Sequence, residues 1–234
     1  MLMFFGGERR FGALVEGARR RAALSVAAVA LAGGIAAPAA GATSRSQLGQ
    51  DLKGFWTYVL QTPAPQNPFT TTNNRCHQLG KQVLAPLQPF APPGVSTTCT
   101  VKPGTRVFIG EMSSECSTAE PPPFHGNRPA ELRACVRSVL LGPVGTFNHH
   151  RLTLDGRRVP LTLVQTPLMR VKLPPDNVLG VPAQRARSVG MGWVALLHPM
   201  TPGVHHVAFT FGGTFQGTPL LEHSTVKIIV EPGA

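Results

Sequence analysis

The chain has 234 residues, with 22 Lys and Arg against 11 Asp and Glu, a net charge of +11 and 42% hydrophobic residues. That is enough apolar content for a packed core. A single Tyr and the lack of an aromatic–basic stripe argue against nucleic acid as a partner.

Arg19, Arg20 and Arg21 precede an uncharged run from Ala22 to Ala42 that ends in Ala40-Gly41-Ala42. A positive flank, an apolar core and a small-x-small ending are the parts of a signal peptide, so residues 1–42 are expected to be a leader cut after Ala42. Arg20-Arg21-Ala22-Ala23-Leu24 is a poor version of a twin-arginine motif. A permanent membrane anchor is the rival reading, but the run is mostly Ala and Gly with Pro38 near its end. No later segment approaches the length of a membrane span. Residues 43–234 are thus expected to form a single extracytoplasmic domain without a stable membrane span. Cutting the leader removes five arginines and two glutamates and leaves 192 residues carrying +8. The remaining basic residues contain no run of three and read as a solvated surface. Binding to a polyanion or an acidic envelope is the alternative.

Cys76, Cys99, Cys116 and Cys135 all fall in that domain. An even count in an exported chain predicts two disulfides. Of the three possible pairings, Cys76–Cys99 and Cys116–Cys135 close short loops around turn-rich sequence and are favoured. A zinc site is not supported, because no C-x-x-C occurs.

In chain order, residues 43–47 are expected to be mobile. Leu48, Leu52, Phe55, Trp56, Val59 and Leu60 then recur at helical spacing before Pro63, with Trp56 as a core anchor. From Gln61 to Gly94 seven prolines prevent long regular elements, and Lys81 to Leu87 is at most one strand or a short helical turn. A strand from Thr98 to Lys102, a Pro103-Gly104 turn and a strand from Arg106 to Met112 follow. In the second strand Val107, Ile109 and Glu111 share one face, and Phe108 and Met112 the other. A loop with three prolines leads to a helix with Pro129 in its first turn and a stripe of Leu132, Cys135, Val136, Val139 and Leu140, ended by Gly142-Pro143.

The rest reads as strands. His150, Leu152 and Leu154 alternate up to an Asp155-Gly156 hairpin turn. Val159, Leu161 and Leu163 return, with Pro160 marking an edge. Met169, Val171 and Leu173 form another strand, broken at Pro174-Pro175-Asp176-Asn177. Met191 to Leu197 is apolar on both faces, as in a central strand. His205, Val207, Phe209 and Phe211 alternate next, and Val226, Ile228 and Val230 last. About eight short strands predict a mainly β, two-sheet sandwich, immunoglobulin-like or jelly-roll, with one or two short helices at its ends or edge.

The pieces VKPGTRVFI, ECSTAEPPPFHG, AELRAC, LPPDNVLG and PGVHHVAFTFGG, in that order, resemble a group of uncharacterised secreted bacterial β-sandwich proteins. The resemblance implies export and a β-rich fold, and it implies no activity.

Candidate chemistry centres on one stretch. Glu111, Glu115, Glu120 and Glu131 are four of nine acids in the expected mature chain, and His125 lies among them. With Asp176 from a later loop they could form a polar site, as metal ligands or as an acid–base pair. The plainer reading has Glu131 favoured by the dipole of a helix first turn and the others as loop acids or ion-pair partners. No D-x-D-x-D-G, H-E-x-x-H or G-x-S-x-G pattern and no Gly-rich phosphate loop occurs, so no metal, cofactor or catalytic residue is expected. The pairs His149-His150 and His205-His206 lie in strands, where neighbours point to opposite faces and cannot chelate one ion. The reading is a non-catalytic binding or envelope-associated module whose partner is an envelope component or polysaccharide. The alternatives are a secreted hydrolase or metal-dependent enzyme using Glu111 to His125, and a carrier of an apolar ligand lined by Trp193, Phe209 and Phe211.

Overall fold

The computed structural model describes residues 43–70, 75–87 and 96–233, leaving out the side chains of Arg75, Ser96 and Glu111. The expected leader, 1–42, and the proline-rich stretch 88–95 lie outside the described residues. In chain order the elements are α1 (Arg45–Gln61), β1 (Arg75–Leu79), β2 (Val83–Leu87), β3 (Ser96–Val101), β4 (Arg106–Ser117), α2 (Pro129–Leu141), β5 (Gly145–Leu154), β6 (Arg157–Val159), β7 (Thr162–Gln165), β8 (Met169–Leu173), β9 (Gln184–Leu197), β10 (Gly203–Phe215) and β11 (Thr218–Val230). A short 3-10 turn, Ala64–Gln66, follows α1.

The strands form the two sheets expected of a sandwich. The first runs β1-β2-β4-β9-β7, with β8 also paired to β9, and the second runs β3-β11-β10-β5-β6. Two pairings, β2 with β4 and β3 with β11, are parallel. No helix among the described residues is long and apolar enough to cross a membrane.

Helix α1 begins earlier than its apolar pattern predicts, because Ser44 caps it by accepting from the Gln47 N–H at 3.1 Å. Its apolar stripe does not cover an end of the sandwich. It lies on the outer face of the first sheet, where Leu52, Phe55, Val59 and Leu60 pack against Phe108, Val164, Met169, Val171 and Val194. Each such side chain contributes roughly 1.5–3 kcal/mol on burial. Trp56 is 8% exposed and is the core anchor expected, with its indole N–H donating to Ser113 Oγ at 3.1 Å.

Three local predictions are corrected. The stretch from Gln61 to Gly94 contains a β1–β2 hairpin, turned at Gly80 with φ +73°. The strand expected to end at Met112 continues to Ser117, and its register on β9 shifts between Ile109 and Met112. That bulge moves Met112 onto the same face as Val107 and Ile109, because one extra residue reverses the alternation. Finally, Val159 to Leu163 is not one strand. Pro160 ends β6 in the second sheet and the chain crosses to β7 in the first.

Both short-loop disulfides form. Cys76–Cys99 joins β1 to β3 and therefore one sheet to the other, and Cys116–Cys135 joins β4 to α2. Helix α2 starts as predicted, with Pro129 in its first turn and Glu131 Oε2 accepting from the Arg128 N–H at 3.2 Å. The Asp155-Gly156 hairpin is also present, with both residues at positive φ (49° and 77°), which this turn requires.

Candidate functional site

Of the acids expected to form a polar site, the fold brings Glu115 and Glu120 together. The continuation of β4 places Ser113, Glu115 and Ser117 on the α1 side of the first sheet, with Glu115 opposite Gly190 and Ser117 opposite Ser188 of β9. The chain then loops through three prolines and returns so that the Phe124 and Ser117 backbones bond at 3.0 Å. This return carries Glu120 over Glu115. The carboxyls are 4% and 5% exposed and hydrogen-bond to each other. Ser188 Oγ donates to Glu115 Oε2, and Ser117 Oγ donates to Glu120 Oε2 at 2.9 Å.

Burial pushes the Glu115 carboxyl well above the ordinary glutamate range, and the neighbouring charge of Glu120 pushes it further. Burial also raises Glu120, opposed by the hydrogen bonds it accepts from Glu115 and Ser117. The arrangement is a buried carboxyl pair in which both acids, Glu115 above all, hold a proton more tightly than a free glutamate does. The two residues are almost closed to solvent. Among the described residues no group of three or more His, Cys, Asp or Glu is arranged to hold a metal ion.

The remaining candidates do other work. His125 belongs to the loop frame, with Nδ1 2.7 Å from the Glu120 carbonyl and Nε2 3.2 Å from Asn127 Oδ1. Asp176 is exposed and its carbonyl accepts from the Ala64 N–H, while the buried Asn177 beside it holds the loop through Pro174 and Val181. The Glu111 side chain lies outside the description. The aromatic residues expected to line an apolar cavity meet other rings instead. His150 stacks on Trp193 at 4.8 Å, and Phe209 packs on Phe211 at 5.6 Å.

His205 and Asp155 form a close pair at the hairpin tip, Nδ1 to Oδ2 2.8 Å. Asp155 also accepts from the His206 N–H, and His205 Nε2 lies 2.9 Å from the Thr201 carbonyl. The hydrogen bond to Asp155 raises the His205 pKa, and the same bond lowers that of Asp155. With both ring nitrogens engaged, the imidazolium is a clasp between hairpin and β10 with no nitrogen left to act as a base.

The feature that sequence reading did not assemble is the outer face of the second sheet. Register places Arg158 beside Thr153 and Ala208, Arg151 beside Thr210 and His223, His149 beside Gly212, and His206 beside Lys227. All six of these basic and imidazole side chains are exposed. Between them lie mostly Thr, Ala and Gly, and the Asp155 carboxylate stands beside His206, accepting from its N–H. At its β5–β6 corner lies an open cavity of about 520 Å³ lined by Asn148, His149, His150, Arg151 and Arg158. A second of about 300 Å³ shares His150, Arg151 and Arg158 and extends along Val159, Pro160 and Leu161. The sequence carried a signal for this face, since His149, Arg151 and Thr153, and likewise His223, Thr225 and Lys227, alternate at period two.

No protein-family model matches the chain, and no curated protein matches it. Among solved structures, one described as PbICP-C in complex with falcipain-2 is 10% identical, with a TM-score of 0.25, and covers 64% of this chain and 100% of that one. The solution structure of Amebosin is 10% identical, with a TM-score of 0.21, covering 65% and 100%. Likeness of that degree carries no argument about this chain.

Proposed function

We propose that this chain is an exported, non-catalytic binding module that engages an acidic polysaccharide of the cell envelope through the open face of its second sheet. One observation carries the reading: Arg151, Arg158, Lys227, His149, His206 and His223 share an exposed face, separated mostly by small side chains, and its acid beside His206, Asp155, is outnumbered by them. A flat field mostly of one sign attracts a polymer of the other and leaves room for it to lie down. The two disulfides suit an oxidising compartment. The carboxyl pair suits a structural role, since both residues are almost wholly buried.

The test is retention of residues 43–234 on an immobilised acidic polysaccharide and on a neutral one, across a salt gradient. The expected result is retention on the acidic polymer alone, weakening steeply with salt, and abolished in Arg151→Glu/Lys227→Glu. Equal retention on the neutral polymer, or unchanged retention of the charge-reversed variant, would overturn the reading.

A further inference from the structure

The corner of the face where β6 ends has a more specific construction than the rest. Pro160 has no N–H to extend the ladder, so β6 pairs with β5 only at Leu152, Thr153 and Leu154. Beyond that point the β6-side edge of β5 opens into the cavity lined by Asn148 to Arg151 and by Arg158. Arg158 lies opposite Thr153, and Arg151 is two residues further along β5 on the same face. They are therefore diagonal neighbours with backbones about 7–8 Å apart, within reach of long side chains converging on one point. His149 continues the line. Neither guanidinium has a carboxylate or other hydrogen-bond partner among the described residues, and the positive field reaches inward. His150, behind them, is held below its ordinary pKa by burial and then by the charges of Arg158 and His149.

We infer that this corner is a subsite for a phosphate or sulfate monoester, bound between Arg151 and Arg158 with the Asn148 amide and His149 ring at its rim. The inference deepens the polysaccharide reading above and rests on it for the polymer that carries the ester. Two unpaired guanidinium forks call for several acceptor oxygens in one group: a phosphate or sulfate monoester presents three terminal oxygens, where a carboxylate presents two. Guanidinium forks match paired oxyanion oxygens. The adjoining cavity along Val159, Pro160 and Leu161 offers an apolar wall for the body that bears the ester.

The experiment is calorimetric titration of residues 43–234, at fixed ionic strength, with a sugar phosphate, a sugar sulfate, inorganic phosphate and a uronic acid. Arg158→Gln and Arg151→Gln are run alongside, and unchanged melting temperatures serve as the control for folding. The inference expects the phosphate or sulfate monoester to bind and the uronic acid to bind at least roughly tenfold more weakly. Each variant should lose roughly tenfold or more, the scale of one charge-assisted pair. Equal binding of the uronic acid, binding of inorganic phosphate without the esters, or undiminished binding by both variants would overturn it. The two readings fail separately. A chain that binds the monoester but no acidic polymer defeats the envelope reading alone, and one that binds the polymer equally well in both glutamine variants and ignores the monoester defeats the subsite alone.

Discussion

Glu115 and Glu120 meet carboxyl to carboxyl on the α1 side of the first sheet, each accepting from a serine hydroxyl and each almost wholly buried. Two like charges cannot both be ionised at that separation in an apolar setting, so the fold retains a proton there that the unfolded chain gives up.

The sign of the resulting pH dependence follows from that proton. Above the ordinary glutamate value of 4.5, the unfolded chain releases a proton that the folded chain keeps. Stability therefore falls as pH rises from there until the folded pair itself ionises, by at most about 1.4 kcal/mol per pH unit for one proton. Asp51, also raised by burial, adds in the same direction, whereas His77 and His150, lowered by burial, act oppositely. Glu115→Gln keeps the shape of the protonated acid and removes its titration. Denaturation measured from pH 5 to pH 8 should show wild type losing stability relative to the variant as pH rises. Parallel profiles would mean that no proton is shared.

Gly190 lies under the indole of Trp56. A Cβ there would sit 2.8 Å from Trp56 Cδ1 and 3.2 Å from a Thr166 methyl. Gly190→Ala should destabilise the protein by about 1–3 kcal/mol, the usual scale of overpacking in a core. Tryptophan emission should shift as well, because the Trp56 bond to Ser113 Oγ cannot survive a displaced ring. A melt and an emission spectrum both unchanged would contradict this packing.

The two staples hold different things. Cys76–Cys99 ties the two sheets across a separation of 23 residues, and Cys116–Cys135 ties β4 to α2 across 19. Removing either pair as a double Ser variant should cost about 3 kcal/mol, chiefly through the freed unfolded chain. Denaturant titration reads the loss. Thiol titration of the unreduced, unfolded protein should find no free cysteine, and a peptide map joining Cys99 to Cys116 would disprove the connectivity.

His150 stacks on Trp193, and its Nδ1 is buried without a hydrogen-bond partner. His150→Phe preserves the ring and discards the unpaired polar atom, so it should stabilise the fold by about 1 kcal/mol. A lower melting temperature would imply a hydrogen bond at Nδ1.

Much of the fold is legible one residue at a time. The heptad-like stripe from Leu48 to Leu60, Pro129 opening α2, Gly142 closing it and the Asp155-Gly156 turn each specify local backbone geometry through steric and capping preferences that act within a few residues. The strand alternations specify faces by the same local means. Proline density misled the reading of Gln61 to Gly94, because a hairpin of two five-residue strands fits between prolines placed at its margins.

By itself the sequence determined both helices and most of the strands, the sandwich class and the choice of short-loop disulfides, since these depend on near neighbours and on alternation. Only the tertiary structure decided which acids met and which faces stayed open. Glu115 and Glu120 pair because the bulge at Gly110 and Glu111 resets the face of β4 and the proline loop doubles back on Ser117. The arginines of β5 and β6 gain histidine and lysine neighbours from β10 and β11 through cross-strand register. Register is a long-range agreement among strands over fifty residues apart, and no local preference encodes it.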